Sequence, residues 1–82
     1  MEALVKESTM LVSRQITANA QRLLEEPLLS ASRQIELEYR EGILFLRGHL
    51  PSFYQKQLAQ EAIRNLDGVN QIVNKIEVRT AT

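Results

Sequence analysis

The sequence predicts a two-layer α+β domain whose elements run helix, strand, strand, helix, strand, with both helices on one face of a three-stranded sheet. Three observations carry that expectation. Large apolar side chains recur at three- and four-residue intervals between Thr9 and Glu26 and again between Gln55 and Leu66, which is the helical period. Between Gln34 and Leu50, and again after Val69, the period falls to two, as in half-buried strands. A chain of 82 residues, 44% hydrophobic and 24% charged, holds material for one core and no second one.

The first helix is expected over about residues 9–25. Leu11, Val12, Ile16, Ala20, Leu23 and Leu24 form its stripe, Ser8 or Thr9 can accept a bond from a free backbone N–H at its start, and Pro27 disfavours helical geometry at Glu26. Leu28 and Leu29 fall in a connection lasting to Arg33 and plug the edge of the core. Along the first strand, Ile35, Leu37 and Tyr39 point one way, and Glu36, Glu38 and Arg40 the other. Glu41-Gly42 supplies a tight two-residue hairpin turn, so the second strand pairs antiparallel with the first. Its residues Leu44, Leu46, Gly48 and Leu50 face the core, against Ile43, Phe45, Arg47 and His49 outside.

Pro51-Ser52 ends that strand, and Ser52 with Gln55 matches a capping box at the start of a second helix over about 52–66. Its stripe is Gln55, Leu58, Ala59, Ala62, Ile63 and Leu66, and Asp67-Gly68 supplies a left-handed stop. The third strand, Val69 to Arg79, turns Ile72, Asn74, Ile76 and Val78 inward and Val73, Lys75, Glu77 and Arg79 outward. A right-handed crossover makes it parallel to the second strand if the two are neighbours, or antiparallel to the first if it crosses over that strand. The expected order has the first strand in the middle. Residues 1–82 form a single domain with its core over about 10–79, and residues 1–8 and 80–82 are expected to be flexible.

Composition excludes several functions. Ten Lys and Arg balance ten Asp and Glu, so the basic excess of a nucleic-acid binder is missing, and with it the G-x-x-G clamp and the stacked aromatics of small RNA-binding sheets. Without Cys there is no disulfide or thiolate site, and His49 alone cannot assemble a zinc cluster, so neither metal nor cofactor is expected. Catalysis would need a nucleophile and an orienting acid at converging positions, whereas Ser52 is explained by capping and Glu36 and Glu38 by a solvated face with Arg47 and Lys75 nearby. No enzyme is expected. No secretory signal or membrane-spanning run stands in the chain as read, which points to a cytoplasmic or peripheral membrane location.

The spacing Ile35-x-Leu37, Gly42-x-Leu44-x-Leu46-x-Gly48-x-Leu50, a helix, then Gly68-Val69-x-x-Ile72-x-Asn74-x-Ile76-x-Val78 resembles the BON domain, named for bacterial osmotically inducible and nodulation proteins. The likeness covers about residues 10–79. It implies the same fold and a binding module rather than an enzyme, of a kind attached to envelope, secretion and stress-response proteins and proposed to bind phospholipid surfaces. Gly42, Gly48, Gly68 and Asn74 match its motif. Physically the glycines read as a hairpin turn, a bare position beneath a closely packed helix, and a helix stop, while Asn74 reads as a tie to a neighbouring loop backbone.

Two surfaces remain for recognition. On the outer sheet face, Ile43, Phe45 and Val73 sit among charges, an arrangement that serves either as an interaction patch or as scattered surface hydrophobes. At the start of the second helix, Phe53 and Tyr54 lie ahead of Lys56 and close to Arg47 and His49, so that rings could sit at the headgroup level while cations meet phosphate; Tyr54 could equally extend the buried stripe. The expectation is a non-catalytic module contacting a phospholipid surface or an envelope protein through Ile43, Phe45, Arg47, His49, Phe53, Tyr54 and Lys56. The alternative is a protein-interaction module with weak self-association and no lipid contact.

Overall fold

A computed structural model describes the backbone of residues 2–80, with side chains from 10 to 80. Helix α1 spans Glu2–Leu28, a 3-10 segment Leu29–Gln34 follows, then strands β1 (Ile35–Arg40) and β2 (Ile43–Leu50), helix α2 (Phe53–Ala62) and strand β3 (Gln71–Val78). Both helices join one core with the inward row of the sheet. That core contains Ile16, Ala20, Leu24 and Leu28 of α1, Ala59 of α2 with Ile63 just beyond it, and Leu44, Leu46, Leu50 and Ile76 from the strands. The α+β class and the element order are as the sequence predicts.

Several boundaries move. Helix α1 starts at Glu2, not at residue 9, so Ser8 and Thr9 lie within its backbone and not at its start; Glu, Ala, Leu and Lys are good helix formers, and no Gly or Pro falls between residues 2 and 8. It also passes Pro27. The proline removes one backbone N–H from the last turn, but Leu28 lies four residues after Leu24 on the same stripe and is buried with it. The buried stripe therefore runs Ile16, Ala20, Leu24, Leu28. Leu11 and Leu23, expected on it, lie off that four-residue line and are exposed; Val12 continues the line one turn before Ile16 yet is exposed as well. Leu29 is no core plug either. Its φ of 55° turns the chain sharply, leaving the side chain exposed, while buried Ser32 closes the 3-10 segment by donating from Oγ to the Leu29 carbonyl at 2.8 Å.

The sheet order is β1-β2-β3, with β2 antiparallel to β1 and parallel to β3, which corrects the expectation of a central first strand. The hairpin fixes one neighbour of β2, and the crossover through α2 returns the chain along its other side, parallel to the strand it left. Burial agrees: Leu44, Leu46 and Leu50 on β2 are completely buried, whereas β1 buries only Ile35 fully. Helix α2 begins as expected, with Ser52 Oγ accepting from the Gln55 amide at 3.1 Å. It ends four residues short of Leu66. Amides of Leu66 and Val69 donate to the carbonyls three residues earlier, so the chain winds at three residues per turn and brings Ile63, Leu66 and Val69 to one side against the core.

Two glycines have backbone reasons. Glu41 and Gly42 take φ of 49° and 84° in the hairpin turn, the left-handed pair that such a turn needs. At Gly48, φ is 127° and a Cβ would lie 2.0 Å from the Gln34 carbonyl oxygen. What crowds this position is the end of the 3-10 segment, not a helix as expected. Asn74 likewise ties down a helix rather than a loop: its Nδ2 donates to the Lys56 carbonyl of α2 at 3.3 Å and to Gln60 Oε1 at 3.4 Å.

Candidate functional site

Because both helices cover the same face, alternation along the strands leaves the opposite face of the sheet uncovered by any element among the described residues. Register then assembles it. Phe45 of β2 lies between Glu38 of β1 and Val73 of β3, Ile43 between Arg40 and Gln71, and Arg47 between Glu36 and Lys75. Ile43, Phe45 and Val73 are half-buried, a small apolar patch on an otherwise charged face.

Three cations surround the Phe45 ring. The Arg40 guanidinium carbon is 4.9 Å from the ring centroid, that of Arg47 5.9 Å, and Lys75 Nζ 6.0 Å. The negative face of an aromatic ring attracts cations, and Phe45 offers that attraction to all three. Glu38 bonds Arg40 at 3.0 Å and Arg47 at 3.2 Å, making the cross-strand pair with Arg47 that the sequence suggests. Lys75 does not join it; it turns toward the ring instead.

The two ends of the sheet differ. At the hairpin end, a hollow of about 570 Å³ is lined by Met10 and Arg14 of α1, by Tyr39 to Glu41, and by Ile43 and Phe45 of the patch. At the other end, where parallel β2 and β3 both finish, a hollow of about 450 Å³ is lined by Arg47, His49, Lys75, Glu77 and Arg79 on the uncovered face. Helix α2 starts at that same end, and the 3-10 segment enters β1 there. These connections carry the most exposed large apolar side chains among the described residues: Leu29 at 73%, Phe53 at 74% and Tyr54 at 71%.

Of the residues the sequence singles out, Ile43, Phe45, Arg47 and His49 therefore share the uncovered face, and Phe53 and Tyr54 stand at its far end. Tyr54 is not in the buried stripe. Lys56 is half-buried, and its carbonyl holds Asn74. Sequence reasoning missed Arg40, Lys75 and Arg79 as site residues, although their outward alternation was visible; what it lacked was the strand order that sets β3 beside β2. It also missed Leu29, whose exposure follows from a backbone turn that no leucine announces.

Such an arrangement offers cations, rings and a shallow apolar patch on an outer surface, which is the chemistry of adhesion. Fold and surface together define a small α+β recognition domain. The model of the BON domain matches residues 13–80, most of the chain, and the protein belongs to that family, whose members are binding domains rather than catalysts. No curated protein matches the chain.

Proposed function

We propose that this BON domain binds anionic phospholipid surfaces, presenting the end of the sheet at which β2 and β3 finish. One observation carries the reading: exposed Phe53 and Tyr54 stand at the same end of the sheet as the cationic hollow of Arg47, His49, Lys75 and Arg79. Rings favour the headgroup boundary, and cations beside them gain from anionic lipid. The family's common association with phospholipid or the cell envelope supports the same reading.

Sedimentation with phosphatidylcholine vesicles of graded phosphatidylglycerol content tests it. Binding should rise with anionic lipid, fall with salt, and weaken about tenfold in the Phe53→Ser, Tyr54→Ser double variant. Folded protein that stays in the supernatant at low salt sinks the proposal. The second reading, self-association, is favoured by the Ile43, Phe45, Val73 patch lying contiguous on the uncovered face. Sedimentation velocity of the wild type and of Phe45→Asp decides it: a monomer at all concentrations, unchanged by the substitution, removes that reading.

A further inference from the structure

Resting on the surface-binding reading above, we infer that the hollow between the ends of β2 and β3 is a phosphate site, with Arg47, His49, Lys75 and Arg79 as its donors. Register is the first ground. Arg47 and Lys75 are direct partners in the parallel ladder, two cations side by side where a cation and a carboxylate would be the stable pair. Glu36, the partner of Arg47 on β1, is within ion-pair distance of neither cation among the described residues, and the other acids are engaged elsewhere. Glu38 lies on the far side of Arg47 and is shared with Arg40, while Glu77, the one carboxylate lining the hollow, holds Arg79 through a single oxygen at 2.8 and 3.2 Å. Among the described residues, Lys75 has no carboxylate within ion-pair distance.

Preorganisation is the second ground. Arg47 and Lys75 both lie within about 6 Å of the Phe45 centroid, so the ring restrains two flexible side chains beside the hollow before any ligand arrives. Chemistry is the third. A guanidinium fork, an ammonium and an imidazole offer donors from several directions, which suits the tetrahedral oxygens of a phosphate better than a planar carboxylate. Space is no obstacle, because about 450 Å³ takes a phosphate with bound water. The ligand is thus a phosphate ester, borne by a lipid headgroup or by a soluble molecule.

The test uses the whole 82-residue chain, labelled with ¹⁵N, titrated with glycerol 3-phosphate and, separately, with glycerol and sodium chloride at matched ionic strength. Saturable amide shifts should group on Arg47, His49, Lys75 and Arg79, and apparent affinity should fall about tenfold in Lys75→Gln, as expected for losing one charge-assisted hydrogen bond. Arg79→Gln serves as a second variant, and thermal melts show that both remain folded. Shifts equal in the salt control, unmoved by the substitutions, or grouped on Arg14 and Tyr39 at the hairpin end overturn the site. Phosphatidylcholine vesicles with and without phosphatidic acid separate this from the surface reading. Vesicle binding without shifts in the hollow removes the phosphate site alone. Shifts in the hollow without vesicle binding keep the site for soluble phosphate esters and remove the lipid reading.

Discussion

At Gly48 one absent atom decides whether β1 and β2 can meet. A Cβ there would sit 2.0 Å from the Gln34 carbonyl, a rigid backbone atom, and φ is 127°. At Gly42 the corresponding clash, 2.6 Å, is with the Asn70 side-chain amide, which can rotate away. Alanine at the two positions should therefore behave differently. Gly48→Ala is expected to lose about 3 kcal/mol or more in urea denaturation, through overpacking and backbone strain together. Gly42→Ala should lose about 1–2 kcal/mol, the left-handed penalty alone. Equal losses would show that Gln34 moves aside.

Among the elements, β3 is, like β1, an edge strand with one side unpaired. Its Gln71 and Arg79 amides donate toward β2, to the Gly42 and Leu50 carbonyls, so by alternation the Ile76 amide points away from the sheet. Asn74 Oδ1 accepts that amide at 3.1 Å while Nδ2 holds α2. One side chain thus satisfies the free edge and fastens the helix above it, removing a point where another strand could add. Asn74→Ala should cost about 1–2 kcal/mol and speed hydrogen exchange at Ile76 selectively. Unchanged exchange at Ile76 would mean that the edge is protected by something else. At the other end of the same crossover, Ser52→Ala removes the α2 cap and should cost about 1 kcal/mol in the same denaturation assay.

For the molecule as a whole, a chain of 82 residues has only about 4–12 kcal/mol of stability to lose. Its core is narrow, so single deletions weigh heavily. Leu24→Ala or Leu46→Ala, both at fully buried sites, should cost about 2–5 kcal/mol and leave the protein near its unfolding midpoint at physiological temperature. Leu11→Ser and Val12→Ser, at exposed positions of α1 ahead of Ile16, should shift stability by no more than about 0.5 kcal/mol. Helix α1 is long for this domain: 27 residues span about 40 Å, against about 26 Å for an eight-residue strand. Calorimetry of the four variants checks whether the core starts at Ile16.

Much of this was legible before folding was considered. The two periods, the Glu41-Gly42 turn and the Ser52 cap are local properties, set by neighbours within a few residues, and they placed five elements and sorted inward from outward side chains. So were Ile43, Phe45, Arg47 and His49 on one face, since alternation needs no partner strand. Three helix boundaries failed: residues 2–8 are themselves helix formers and carried the start of α1 back to Glu2, Leu28 drew its end past Pro27, and Ile63, Leu66 and Val69 wound the end of α2 into tight turns. Only the tertiary structure decided the strand order, because the period within a strand is blind to which strand lies beside it. That decision set Lys75 against Arg47 and around Phe45, and it brought Lys75 and Arg79 to the end where Phe53, Tyr54 and Leu29 already stand. The sequence by itself determined which chemical groups face outward; the crossover through α2 determined which of them meet, because proximity between distant residues is fixed by packing and not by spacing along the chain.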